Sequence, residues 1–138
     1  MILQKEFSNP GLERHSMVEG IFHNEVIPMI PVSLAWNRGT QTTLAILDTG
    51  FSGDLQITPT IARELGIQQK SFLFATMADG ITREVPVSLA IAAMENTGAT
   101  VQVIISEGAM LAGIGLLTKF GYKAIVDCKH KKVQLQKA

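Results

Sequence analysis

Apolar residues in this chain recur mostly at every second position or in short continuous runs, and only twice at helical spacing. The first such segment, "MVEGIFHNEVIPMIPVSLAW", predicts strands over Val18–Phe22 and Met29–Ala35. Pro28 and Pro31 restrict the second strand to a sheet edge or to positions where no ladder donor is needed. "NRGT" (37–40) is turn chemistry, and Thr42–Leu47 beyond it has the β-branched, apolar make-up of a central strand. A short strand over Leu55–Ile57 follows. "SFLFATMADGITREVPVSLAIAA" divides at Asp79–Gly80, a dipeptide suited to a tight hairpin because both positions tolerate positive φ. "TVQVIISE" is a further strand, and "KAIVDCKHKKVQLQ" predicts two strands around a Lys-rich turn.

The helical patterns are short and well punctuated. Thr58 is placed as N-cap and Pro59 at the first helical position. Ile61, Ala62 and Leu65 form the apolar stripe, and Gly66 is suited to a left-handed C-terminal cap. In "GAMLAGIGLLTKFG", Ile114, Leu116, Leu117 and Phe120 make a second amphipathic turn that Gly121 can close. Many short strands and two short helices predict a mainly β protein with a barrel-like or sandwich core. No repeat or linker marks a second domain. Residues 1–17, polar and carrying Pro10–Gly11, are expected as an N-terminal arm, and 18–138 as one domain.

A chain of 138 residues can bury such a core without disulfides or metals. Twelve acidic residues balance twelve basic ones, so no net field points to nucleic acid or an anionic membrane. The Lys129, Lys131 and Lys132 cluster with His130 reads as a solvated turn. No secretory h-region is evident and no run is long enough to span a bilayer, so the expected location is cytoplasmic. Cys128 is the single cysteine, expected as a small packed residue rather than a nucleophile. His15, His23 and His130 lack ligand spacing and read as surface histidines, not metal ligands. Trp36 reads as a packing residue, and Met77 and Met110 as core filler or pocket lining.

The chemistry concentrates where the strand "TTLAIL" stops on Asp48, followed by Thr49 and Gly50. Burying a lone ionised carboxylate beside such a run costs several kcal/mol, on the order of a large part of a domain's stability. Gly50 and Gly53 let the backbone turn sharply and approach a ligand. Asp-x-Gly is also ordinary turn chemistry, so the tripeptide alone carries little weight.

The ordered context carries more. "LAILDTGFSG", "TMADGITRE" and "MLAGIGLLTKFGYKAIVD" stand in the order of three signatures of the retropepsin-like aspartic proteases, the family of the retroviral proteases and their bacterial relatives. The chain resembles that family over roughly residues 18–135, and "FSG" resembles its bacterial branch. The resemblance implies a closed-barrel-like acid protease fold with one lobe per chain. It further implies that Asp48 is the catalytic carboxylate, that Thr49 braces the active-site loop against another copy's loop, and that Gly50 lets substrate backbone pass. Ala78, Asp79, Gly80 and Ile81 would form the tip of a flap closing over a peptide, and Gly113 would lie behind the loop where a side chain would crowd it.

The family's mechanism needs two such carboxylates. Asp54, Asp79 and Asp127 are not followed by Thr-Gly or Ser-Gly, so the second is expected from an identical chain across a two-fold axis. Two carboxylates at hydrogen-bond range share one proton, which halves the charge to be buried and supplies an acid and a base together. The expected activity is therefore homodimeric peptide hydrolysis without metal or cofactor, its partners a second identical chain and a peptide. A peptide-binding scaffold with little turnover is the alternative. An aspartyl phosphotransferase is disfavoured because Gly50 stands where such enzymes place a second Asp. Four features depart from the family's pattern: Phe51 in place of a small residue, Ala112 in place of a larger aliphatic, a flap tip of only Asp79–Gly80, and a C-terminal segment that continues into its own hairpin.

Overall fold

A computed structural model describes residues 17–138. The expected N-terminal arm falls almost wholly outside that range, while Met17 already pairs with Gln136. Eleven strands and two helices follow in chain order. Strands β1 (Met17–Glu19) and β2 (Ile21–His23) replace the single strand expected over Val18–Phe22. The break is at Gly20, where a Cβ would run into the carbonyl oxygen of Met29, so the chain passes there only as glycine.

Strand β3 (Ile27–Trp36) pairs with β2 and then along its length with β4 (Gly39–Leu47). It also pairs with β7 (Thr82–Met94), but only over Ser33–Ala35. The strand is thus internal to the sheet. Its prolines are tolerated because each has a strand on one side only: Pro28 faces Phe22 of β2, Pro31 faces Leu44 of β4, and β7 joins only at Ser33. Ile30, Val32 and Leu34 alternate into the core and are almost fully buried.

After β5 (Leu55–Ile57), the first helix, α1 (Pro59–Leu65), has the punctuation its sequence predicts. The Thr58 hydroxyl accepts from Ile61 N–H at 3.1 Å, a cap worth about 1 kcal/mol. Gly66 closes the helix at φ 75°. Strands β6 (Ser71–Thr76) and β7 form a long hairpin, and β8 (Thr97–Ile105) returns antiparallel to β7. The two-residue turn with both positions at positive φ occurs between β7 and β8, at Glu95 (φ 50°) and Asn96 (φ 69°), not at Asp79–Gly80 as expected.

Strand β9 (Leu111–Ala112) leads into the second helix, α2 (Ile114–Phe120), and then β10 (Tyr122–Asp127) and β11 (Lys132–Lys137). The main sheet runs β2-β3-β4-β9-β5-β8-β7-β6, and the β3–β7 pairing closes six of its strands into a barrel. A second sheet, β1-β11-β10, lies against it and contributes Val133 and Leu135 to the same core as Leu55, Ile57, Leu65, Val101, Val103 and Leu116. Cys128 is exposed in the β10–β11 turn, contrary to the packed position expected of it. Trp36 packs at the margin of the core and Met110 is buried, whereas Met77 lines a cleft. Among the described residues no helix is long and apolar enough to cross a membrane.

Candidate active site

Asp48 follows directly on β4, whose Ala45 and Leu47 are buried. The parallel ladder to β9 runs through Ile46↔Leu111 and Leu47↔Ala112, and Asp48 N–H adds a last bond to the Ala112 carbonyl at 2.9 Å. The chain then reverses. Phe51 N–H donates to the Asp48 carbonyl at 3.1 Å, and Gly50 N–H donates to Asp48 Oδ1 at 3.0 Å. A Cβ at position 50 would stand 3.3 Å from that same oxygen, so glycine leaves the carboxylate uncrowded. Within one chain Asp48 is half-buried, while Thr49 and Gly50 are exposed. The desolvation expected from the apolar run before Asp48 is therefore incomplete in the single chain, and no internal countercharge is called for.

The start of α2 clamps the loop from behind. Helix N-termini leave backbone donors without intrahelical partners, and here the loop's carbonyls take them. Gly113 N–H donates to Asp54 at 3.0 Å, Ile114 N–H to Phe51 at 2.9 Å and Gly115 N–H to Gly53 at 3.0 Å. This close crossing explains Gly113, which is buried. A Cβ there would meet the Gly53 carbonyl oxygen and come within 2.7 Å of the Phe51 ring. Asp54, which the sequence does not single out, staples the other end of the loop. Its Oδ2 accepts from Gln102 N–H at 2.9 Å and lies 3.5 Å from Lys119 Nζ, with only 11% of the side chain exposed. Nothing in its local sequence signals this role, since both partners arrive from distant strands and helices.

The β6–β7 hairpin reaches over the loop. Its tip is a three-residue connection, Ala78–Asp79–Gly80, in which only Gly80 takes positive φ (81°). Gly80 N–H donates to Met77 at 2.9 Å and Met77 N–H to Ile81 at 3.0 Å, the pattern of a tight turn followed by a left-handed residue. Asp79 is engaged within the tip, accepting from Ile81 N–H at 2.9 Å and pairing with Arg83 at 2.9 Å. Ala78, Asp79, Gly80 and Ile81 are all exposed.

Between loop and hairpin lies an open cleft of about 460 Å³. Asp48 and Gly50 stand on one side, Thr76, Met77 and Ala78 on the other. Phe51, Val85, Ile104 and Leu111 give it an apolar wall, and Gln56 and Ser106 supply polar groups. Of the residues singled out from the sequence, Asp48, Gly50 and Ala78 thus meet at one cavity, and Gly113 backs it. Thr49, Asp79, Gly80 and Ile81 do not line it. Phe51, which the sequence places directly after the Asp-Thr-Gly, also lines it, whereas Gln56 and Ser106 are lining residues that motif spacing does not reveal. No group of three metal-ligating side chains gathers among the described residues.

The architecture is that of a single retropepsin-like lobe. A solved EIAV protease, in complex with the inhibitor HBY-793, is similar to it with a TM-score of 0.55 over 75% of this chain and 97% of that chain. The two sequences are 16% identical, so the likeness concerns the fold. No protein-family model and no curated protein sequence matches this chain.

Proposed function

We propose that the chain is a homodimeric aspartic endopeptidase of the bacterial retropepsin-like type, acting on extended peptides in a reducing cytoplasm. One observation carries the reading. The chain's single Asp-Thr-Gly places a half-buried carboxylate at the rim of an apolar cleft beneath a β-hairpin, on a one-lobe retropepsin-like barrel. Such a lobe holds half of a two-carboxylate site. The exposed Thr49 and the half-buried Asp48 are available to a second copy in a way that a finished, enclosed site would not leave them.

In the dimer, two Asp48 carboxylates come within hydrogen-bond range and hold one proton between them. The ionised carboxylate takes a proton from a water, whose oxygen attacks the peptide carbonyl carbon. The protonated partner donates to the carbonyl oxygen. The resulting tetrahedral diol collapses as its C–N bond breaks: one hydroxyl gives its proton to the carboxylate now ionised, the departing nitrogen takes one from the protonated carboxyl, and the pair again holds one proton. Thr49 braces the two loops against each other, Gly50 gives room to the substrate backbone, and Gly113 permits the tight crossing behind. Ala78, Asp79, Gly80 and Ile81 cover the bound peptide. No metal or cofactor takes part.

Asp48→Asn tests this directly. The amide removes the shared proton while keeping shape, so peptide cleavage should fall by at least about a thousandfold, with circular dichroism and sedimentation unchanged. Cleavage at the wild-type rate by that variant would exclude the assignment. A wild-type dimer that binds peptides but cleaves none of a diverse library across pH 3 to 7 would favour a peptide-binding scaffold instead.

A further inference from the structure

Phe51 is bound to the site more closely than its place after the Asp-Thr-Gly requires. Its N–H bonds to the Asp48 carbonyl and its own carbonyl accepts from Ile114, so both sides of its backbone are fixed. Its ring lies across two glycines. A Cβ at Gly53 would stand 2.6 Å from ring Cζ and one at Gly113 2.7 Å from Cδ2. Phe51 also packs against the buried cluster of Val85, Val87 and Ile104, joining the active-site loop to the base of the hairpin. A half-buried aromatic held this way is a stationary wall of the cleft, three positions from the carboxylate.

We propose that Phe51 determines specificity by setting the size of the substrate side chain accepted beside Asp48. The other apolar lining at that wall, Val85, Ile104 and Leu111, is aliphatic and offers no charge. The pocket therefore takes an apolar side chain. With the ring in place it takes a compact aliphatic one such as valine. Shortening the ring deepens the pocket toward the Gly53–Gly113 shelf and admits an aromatic side chain. The inference rests on the peptide-cleaving reading for its chemistry, but its prediction about side-chain size holds for binding as well.

The test uses the full chain and a peptide series in which the residues flanking the cleaved bond are varied one at a time from valine to phenylalanine. Wild type, Phe51→Leu and Phe51→Ala are compared by the ratio of kcat/KM for phenylalanine over valine. A pocket that gains room for a few carbons shifts such a ratio by about tenfold or more. The ratio should rise that much in Phe51→Ala and by an intermediate amount in Phe51→Leu. The same peptides with a reduced, uncleavable bond, titrated by calorimetry, should show the same shift in affinity.

Equal loss for all peptides, or an unchanged ratio in a variant that melts cooperatively, would overturn the proposal. If Phe51→Ala does not fold, Phe51→Leu, which keeps a buried aliphatic at the site, decides it. If wild type cleaves nothing or Asp48→Asn still cleaves, the protease reading falls, and the calorimetric ratio still judges Phe51. Absence of binding by every peptide in the series overturns both.

Discussion

At position 113 the backbone φ of −107° is open to any residue, so the demand for glycine there is purely one of space. Any Cβ would meet the carbonyl oxygens of Gly53 and Phe51, which are themselves held by the Gly115 and Ile114 amides. Neither oxygen can give way without breaking the clamp behind Asp48. Gly113→Ala is expected to destabilise the chain by about 1–3 kcal/mol, the usual range for overpacking, and to lower activity by displacing the loop. Urea unfolding and peptide turnover measured on the same sample check both effects. An alanine variant as stable as wild type would show that the crossing is looser than described. Two other acidic residues illustrate what sequence position hides. Asp54 looks as available as Asp48, yet it is consumed by Gln102 and Lys119. Glu95 adopts positive φ, a conformation uncommon for its type, and accepts a hydrogen bond from Tyr122 at 2.5 Å. Burial, with the Glu95 bond and charge adding to it, pushes the Tyr122 hydroxyl well above its ordinary range.

At the scale of elements, local chemistry settles helices more firmly than turns. Gly66 and Gly121 close the two helices at φ 75° and 70°, and Thr58 starts α1, whereas α2 begins at Gly113 with no side-chain cap and gives its first amides to the Asp48 loop. Hairpin geometry is decided by strand register instead. Met94↔Thr97 leaves two residues for the β7–β8 turn, whereas Thr76↔Thr82 and the Met77–Ile81 bond give the candidate flap three. The β10–β11 turn is held by Asp127, which accepts from the His130 amide at 3.0 Å and lies 2.8 Å from its ring Nδ1. The backbone bond first, and the ring bond second, keep its carboxyl below the ordinary 3.8. Because the folded value is the lower one, this support is present above pH 3.8 and is lost as pH falls through the folded value. The His130 amide resonance should therefore move with acidification below pH 3.8, and Asp127→Asn should abolish that movement. A His130 amide indifferent to acid in wild type would show that the turn does not depend on this carboxylate.

For the whole molecule, the proposed chemistry makes activity a property of two chains. Cleavage per chain should fall on dilution as dimers separate, in step with the dimer fraction seen by analytical ultracentrifugation. Mixing wild type with Asp48→Asn should suppress activity by forming dimers with one carboxylate. Full activity in a sample shown to be monomeric would exclude the shared site. The barrel itself comes from contacts far apart in sequence: β3 closes onto β7, and the two-residue β9 enters between β4 and β5. These pairings bring the Asp48 loop, the Gly113 crossing and the β6–β7 hairpin to one cleft.

Much of this was legible in the order of residues alone. Alternation marked most of the strands, and Thr58, Pro59 and Gly66 bounded α1 because capping depends only on neighbours along the chain. Asp48, Gly50 and Ala78 were singled out by the resemblance of three short segments, and they do meet at one cavity. What local pattern did not reveal was the internal position of a proline-bearing β3, the exposure of Cys128, the three-residue hairpin tip, the stapling role of Asp54 and the seat of Phe51 on two glycines. Each depends on which distant strand or helix arrives as a neighbour. Short-range chemistry therefore decided where α1 and most strands begin and end, while packing between remote segments decided which side chains face the cleft and which carboxylate is tied up by distant partners.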